Sequence, residues 1–151
     1  MSVKENESVK DNVATCVLDS FALLAYMGGE QGEGRVKEIL IGASRNESSV
    51  LLSLINLGEV VYITERERGL ANAQAVLAII EQLPIKILDV DRQTVLEASH
   101  IKTRYPVAYT DAFAMAIAQL NDAVLVTGDP EFEVVKDIVQ IEWIGVISTS
   151  G

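Results

Sequence analysis

Basic residues are scarce in this 151-residue chain: 12 Lys and Arg stand against 22 Asp and Glu, for a formal net charge of −10. That balance excludes a protein that coats nucleic acid through its overall charge, since such proteins carry a basic patch and a high isoelectric point. It does not exclude an acidic site that meets phosphate through bound cations. Cysteine occurs once, as Cys16. An internal disulfide is therefore ruled out, which fits a reducing compartment, and the thiol in its apolar run reads as packing. Histidine also occurs once, as His100, and with no second His or Cys beside it this residue does not make a zinc site. No apolar stretch approaches the roughly 20 residues of a membrane span. The opening MSVKENESVKDN lacks the apolar core of a signal peptide, so a cytoplasmic location is expected. Its charged, aromatic-free composition reads as a disordered tail over residues 1–12, leaving 13–151 as a single domain. Internal repeats, phosphate-cradling glycine loops and nucleophile elbows are missing as well.

What the chain does have is 49% hydrophobic content arranged in a regular alternation. Short apolar runs at 13–18, 50–52, 85–88, 123–126 and 140–144 read as strands, the last carrying Trp143. Helical patterns lie between them. One follows Asp19-Ser20 and stops at Gly28-Gly29. A second spans 33–44 with Val36, Ile39, Leu40 and Ala43 inward. A third spans 54–68 behind a Ser53 cap. The next covers 71–83 and ends at Pro84, and another covers 92–105 with Val95, Leu96, Ala98 and Ile101 inward. Residues 112–118 are apolar without a break, as in a helix packed on nearly all sides. Pro130 opens a short helix over 131–139. Strands alternating with helices predict an α/β fold with a mainly parallel sheet of about five strands. Ligands of such sheets bind beyond the carboxyl ends of the strands.

Four acids stand where that rule directs attention. Asp19 and Asp129 each follow a strand directly, and Asp111 begins the apolar helix. Each of the three is equally placed to cap a helix N-terminus, a contribution of roughly 1 kcal/mol. Glu59 does not fit a capping role, because it lies inside the 54–68 helix among apolar neighbours. It shares one narrow polar stripe with Asn56, three residues earlier; a solvated helix face is its alternative explanation. If the strands are parallel, the four acids crowd one end of the sheet. Two carboxylates about 5 Å apart repel by roughly 3 kcal/mol at an effective dielectric near 20, more than one cap contributes. Raised pKa values or bound cations relieve such a cluster. Oxygen ligands without His or Cys favour hard cations, Mg2+ or Mn2+. Arg66 and Arg68, in the mixed charge run 65–68, read as a solvated helix end.

The segments VLDS at 17–20, LINLGEVVY at 54–62, YTDAFAMAIA at 109–118 and VLVTGDPEF at 124–132 occur in an order that resembles the PIN domain, particularly the VapC-type toxin ribonucleases. The likeness covers residues 13–144. It implies a three-layer α/β/α sandwich whose C-terminal sheet edge holds a metal-dependent acidic site. By position Asp19, Glu59 and Asp111 match the core metal-binding and catalytic acids of the family, and Asp129 matches its more variable fourth. Ser20, Asn56 and Thr127 match supporting polar positions, and Glu131 is an extra acid nearby. Phe21 departs from the family, where a small polar residue is common. The resemblance implies a Mg2+- or Mn2+-dependent endoribonuclease acting on single-stranded or looped RNA and leaving 5′-phosphate and 3′-hydroxyl ends. It also implies a cognate antitoxin and a homodimer, and no membrane association. A PIN-fold RNA-processing nuclease outside any toxin–antitoxin pair, and a catalytically silent PIN-fold protein-binding module, are the alternatives. A phosphotransfer fold of the haloacid-dehalogenase type needs a second Asp where Phe21 stands. A receiver domain needs a lysine that Thr127-Gly128-Asp129 does not offer.

Overall fold

The computed structural model describes residues 14–145, so the tail expected over residues 1–12 lies outside the described residues. Five strands form one sheet: β1 (Ala14–Leu18), β2 (Ser48–Ser53), β3 (Lys86–Leu88), β4 (Val124–Thr127) and β5 (Ile141–Trp143). Their order is β3-β2-β1-β4-β5 and every pairing is parallel. β1 and β4 run side by side with Cys16, Val17 and Leu18 opposite Val124, Leu125 and Val126. From β1 the chain builds outward through β2 to β3, then crosses back to β4 and builds outward the other way. The crevice between the carboxyl ends of β1 and β4 is thus the topological switch point of the sheet, the place where such folds bind ligands.

Helices cover both faces, as an all-parallel sheet requires. They are α1 (Ser20–Gly28), α2 (Glu33–Ser44), α3 (Leu54–Arg68), α4 (Leu70–Gln82), α5 (Arg92–Arg104) and α6 (Tyr109–Leu120), with a 3-10 turn at Pro130–Val135. Alternation along each strand splits the core in two. Val17, Leu51 and Leu125 pack with α5, α6 and the 3-10 turn, burying Ile101, Phe113, Met115 and Phe132. Leu18, Leu52 and Val126 face the other way, against Leu23 of α1, Val36 and Leu40 of α2, Val60 of α3 and Ile80 of α4. The result is a three-layer α/β/α sandwich. The uninterrupted apolar run of α6 is explained by its central place, since all seven residues from Ala112 to Ala118 are buried.

Three local expectations change. Leu96 is not inward: it is 54% exposed, and the buried face of α5 is set by Thr94, Ala98 and Ile101, an i, i+4, i+7 series from which Leu96 is rotated away. The short helix opened by Pro130 is a 3-10 helix and ends at Val135, not at 139. Phe132 and Val135 are its buried residues, and their spacing of three matches the 3-10 repeat. Finally, α6 begins at Tyr109, with Ala108 in the cap position, so Asp111 lies inside the first turn and reaches back to the Ala108 N–H instead of standing at the cap itself.

Candidate metal centre

Asp19 is fixed from two sides. It leaves β1 at the switch point, where its backbone N–H still reaches Val126 O at 3.4 Å. Its Oδ1 caps α1 by accepting from the Ala22 N–H at 2.8 Å, and its Oδ2 accepts from Thr127 Oγ1 of β4 at 2.5 Å. The residue is 2% exposed. Burial pushes its carboxyl up to about 7; the hydroxyl and amide donors pull the other way, and the charges of Asp111 and Asp129 add to the rise. Capping therefore accounts for one of its oxygens and leaves the cost of burying the acid unexplained.

Asp129 sits across the crevice. Its N–H donates to Thr127 Oγ1 at 3.0 Å, and its Oδ1 caps the 3-10 turn by accepting from the Glu131 N–H at 2.9 Å. Gly128 between them has to be glycine. A Cβ there would lie 2.6 Å from Ile144 O and would collide with the Phe21 ring.

A second group of polar side chains ties three helix starts together. Asn56 is fully buried on α3; its Nδ2 donates to Ser20 Oγ and to Thr110 O, both at 3.1 Å. Ser20 Oγ donates to Glu59 Oε1, and Thr110 Oγ1 donates to Glu59 Oε2 at 3.1 Å. Glu59 is thus not a solvated residue of an exposed face. It is half-buried, with one hydroxyl donor to each oxygen. Asn56 Oδ1 is buried with no partner. Thr110 is the one member of the group that sequence reasoning passed over; its only signal is its place beside Asp111.

Asp111 joins the two groups electrostatically. Burial again comes first in pushing its carboxyl up to about 7, followed by the charges of Asp129, Glu59 and Glu131. The charge of Asp111 in turn adds to the rise at Asp19. Glu131 contributes to this field from an exposed position. Among the described residues no salt bridge reaches Asp19, Glu59, Asp111 or Asp129. Nor do any three Asp, Glu, His or Cys side chains converge tightly enough to hold an ion as they stand. The reason is visible in the bonding: the acids are turned toward hydroxyl or amide donors of the chain. In donor chemistry the group fits a hard cation, being all oxygen and holding two carboxyls whose ionisation is held back by burial and like charge. Asn56 adds an unsatisfied oxygen on the same helix as Glu59.

His100 and the cations Arg66 and Arg68 are exposed and take no part in this group. Arg66 lies over the Tyr62 ring, 5.6 Å from its centroid. α3 carries Arg66 and Arg68 at the end opposite Asn56 and Glu59, about 1.5 Å farther away per residue.

The sequence pattern of the PIN domain matches residues 16–138. No curated protein matches the chain. Among solved structures, VapBC2 from Rickettsia felis, bound to a DNA fragment from its promoter, superposes with a TM-score of 0.70 at 16% identity, covering 86% of this chain and 98% of that one. DNA-bound VapBC from Salmonella typhimurium gives 0.69 at 22% identity, with 86% and 98% covered. VapC20 of Mycobacterium tuberculosis, described as a sarcin-ricin loop cleaving toxin, gives 0.65 at 18% identity, with 80% and 94% covered. At these identities the likeness is one of fold.

Proposed function

The chain belongs to the PIN domain family, and from that premise we propose that it is a divalent-cation-dependent endoribonuclease, the toxin of a toxin–antitoxin pair. The observation that carries this reading is the burial of Asp19 and Asp111 at the switch point, with no cation among the described residues paired to them and Glu59 and Asp129 beside them. Asp19, Glu59, Asp111 and Asp129 would hold Mg2+ or Mn2+. A divalent ion so held supplies an activated water and neutralises charge that develops on a phosphodiester. Thr127 Oγ1 and the Ala22 amide keep Asp19 in one orientation. Ser20 and Thr110 do the same for Glu59, and Asn56 locks those two residues to each other. To hold a cation, Asp19 and Asp111 would have to be ionised, which their burial and like-charged neighbours oppose. Looped or single-stranded RNA is the substrate class, because its backbone is open to attack from one side. The names of the VapBC and VapC20 relatives support the toxin reading and a cognate antitoxin; a homodimer is the assembly proposed with it. Among the described residues no helix is long and apolar enough to cross a membrane.

A second reading, a PIN fold kept as a silent binding module, draws on the donors already satisfying Asp19, Glu59 and Asp129. The two part in one experiment: purified protein incubated with a structured RNA pool in Mg2+, in Mn2+ and in chelator, with Asp111→Asn alongside, and calorimetry of both metals. The nuclease reading requires metal-dependent cleavage that the variant loses and metal binding that the variant weakens. Neither cleavage nor metal binding in the wild type would leave the silent module.

A further inference from the structure

The edge of the sheet that carries the acids is also lined with exposed aromatic rings. Phe21, two residues after Asp19, is 40% exposed; Tyr109, two before Asp111, is 45% exposed; Trp143 is 36% exposed. Trp143 is in register with Thr127, the residue that holds Asp19, and in a parallel ladder paired residues project on the same side of the sheet about 4.8 Å apart. Beside the indole lies a hollow of about 550 Å³ lined by Gly128, Pro130, Glu133 and Trp143. The Phe21 ring packs on Gly128, the residue before Asp129, and Gly128 also lines the hollow beside Trp143. Glu133, the one carboxylate at the hollow, is paired with Lys136 at 2.5 Å.

Resting on the ribonuclease reading, we propose that Trp143 and Phe21, each against the Thr127-Gly128-Asp129 segment at its own point, serve as the stacking platform for unpaired bases of the RNA strand next to the cleavage site. A chain with net charge −10 has little positive surface to offer a phosphate backbone, and the cation at this hollow is already engaged by Glu133. Base stacking on aromatic side chains is a source of single-strand affinity that needs no such surface, and it is worth enough to be decisive. It also accounts for Phe21, a large aromatic exposed beside an acidic site where burial does not require it. Bases inside a duplex present no free faces, so the platform selects loops and single strands.

Trp143 is the only tryptophan of the chain, so its fluorescence reports this one place. Intrinsic fluorescence and the anisotropy of a labelled strand are followed while the full-length protein, in chelator, is titrated with a short single-stranded RNA. An abasic strand of equal length and charge and a duplex of the same sequence serve as comparisons. The RNA quenches Trp143 and the other two do not. Phe21→Ala and Trp143→Ala each weaken binding by about 5- to 100-fold, the range of one lost stacking partner, whereas Trp143→Phe stays within about threefold of wild type because a ring remains. Raising salt changes affinity with a log–log slope smaller than about 1, since few phosphates are neutralised. Equal binding and equal quenching by the abasic strand, or wild-type affinity in both alanine variants, would overturn the platform. Melting temperatures check that the variants fold. If an alanine variant does not, the abasic comparison on wild-type protein decides alone. Parallel cleavage assays with Mg2+ keep the two readings apart: cleavage without base-dependent quenching sinks only the platform, and quenching without metal-dependent cleavage sinks only the nuclease.

Discussion

Carboxylates gather at two places in this fold, and the chain treats them differently. Near the starts of β1, β2 and β4, Arg35 of α2 grips Glu142 with two donors, Nε to Oε2 at 2.5 Å and Nη2 to Oε1 at 3.2 Å, and reaches Glu38 at 3.4 Å. These side chains are substantially exposed. Cys16 lines a hollow with Arg35 and Glu142, its thiol pushed up to about 11, first by burial and then by the Glu142 charge, so little of it is thiolate at neutral pH. At the carboxyl ends of the strands Asp19 is buried outright, and no arginine or lysine among the described residues is paired with it or with Glu59, Asp111 or Asp129. Compensation, not acidity, separates the two regions. Where the chain supplies its own cation the acid is a surface ion pair; where it supplies hydroxyls and amides only, the acid keeps a charge deficit that a ligand can fill.

The largest effect is expected from removing charge at the uncompensated end. Asp19→Asn and Asp111→Asn each lower metal-dependent cleavage more than 100-fold, beyond the roughly 10–100-fold lost with a group that merely orients a metal ligand. The same variants behave in the opposite sense on stability. Both carboxyls titrate near 7 in the folded chain against an ordinary 3.8, so the folded state binds their protons more tightly than the unfolded state does. Their contribution is fully favourable below about pH 4 and is lost as the pH rises through about 7. In chelator, urea unfolding therefore shows wild-type protein weakening between pH 5 and pH 8, and each Asn variant weakening less. Mn2+ restores the wild type at pH 8 and far less at pH 5, where protons compete with it. A wild-type curve flat across that range, and parallel to both variants, would mean the acids are compensated after all.

Intermediate effects belong to the residues that hold the acids. Thr127→Val removes the donor to Asp19 Oδ2, and metal affinity measured by calorimetry falls about 10–100-fold. Asn56→Ala strips partners from Ser20 and from the Thr110 carbonyl in a buried place, for a loss of about 1–3 kcal/mol in denaturant unfolding. Asn56 is fully buried, so a loss under half of that would show that water enters to replace it.

Most of this fold can be read from the chain because parallel strands buried on both faces leave uninterrupted apolar runs, and because Gly and Pro punctuate them. The segment 124–127 is the clearest case. What misled was local. Leu96 is apolar enough to suggest burial, but three neighbours on one helix face outweigh it. The short helix expected after Pro130 is there, but it stops at Val135, and its 3-10 form could not be read because an i, i+3 spacing of apolar residues fits either helix type. At the site, the four acids could be named singly from the sequence, since each breaks a pattern. Of their support, Ser20, Asn56 and Thr127 could be named only through the family resemblance, Thr110 was missed, and the bonds among them could not be read at all. Ser20, Asn56, Glu59 and Thr110 come from three helices, and the hydrogen bonds joining them span 36 to 54 residues of chain. Side chains that distant are brought together by the sheet order, which no local pattern encodes.

The smallest effect is expected at the compensated end, and it tests the comparison most directly. Arg35→Ala leaves Glu142 and Glu38 without their cation but in reach of water. Exposed pairs contribute at most about 1 kcal/mol, because water solvates the separated charges nearly as well as they solvate each other. Unfolding should therefore shift by no more than that at low salt, and the shift should shrink in 1 M salt, where screening acts over about 3 Å. Cleavage and metal affinity should not move. A loss of several kcal/mol that salt does not reduce would show that Glu142 is as poorly solvated as Asp19, and the contrast between the two ends would then rest on the presence of arginine alone and not on burial.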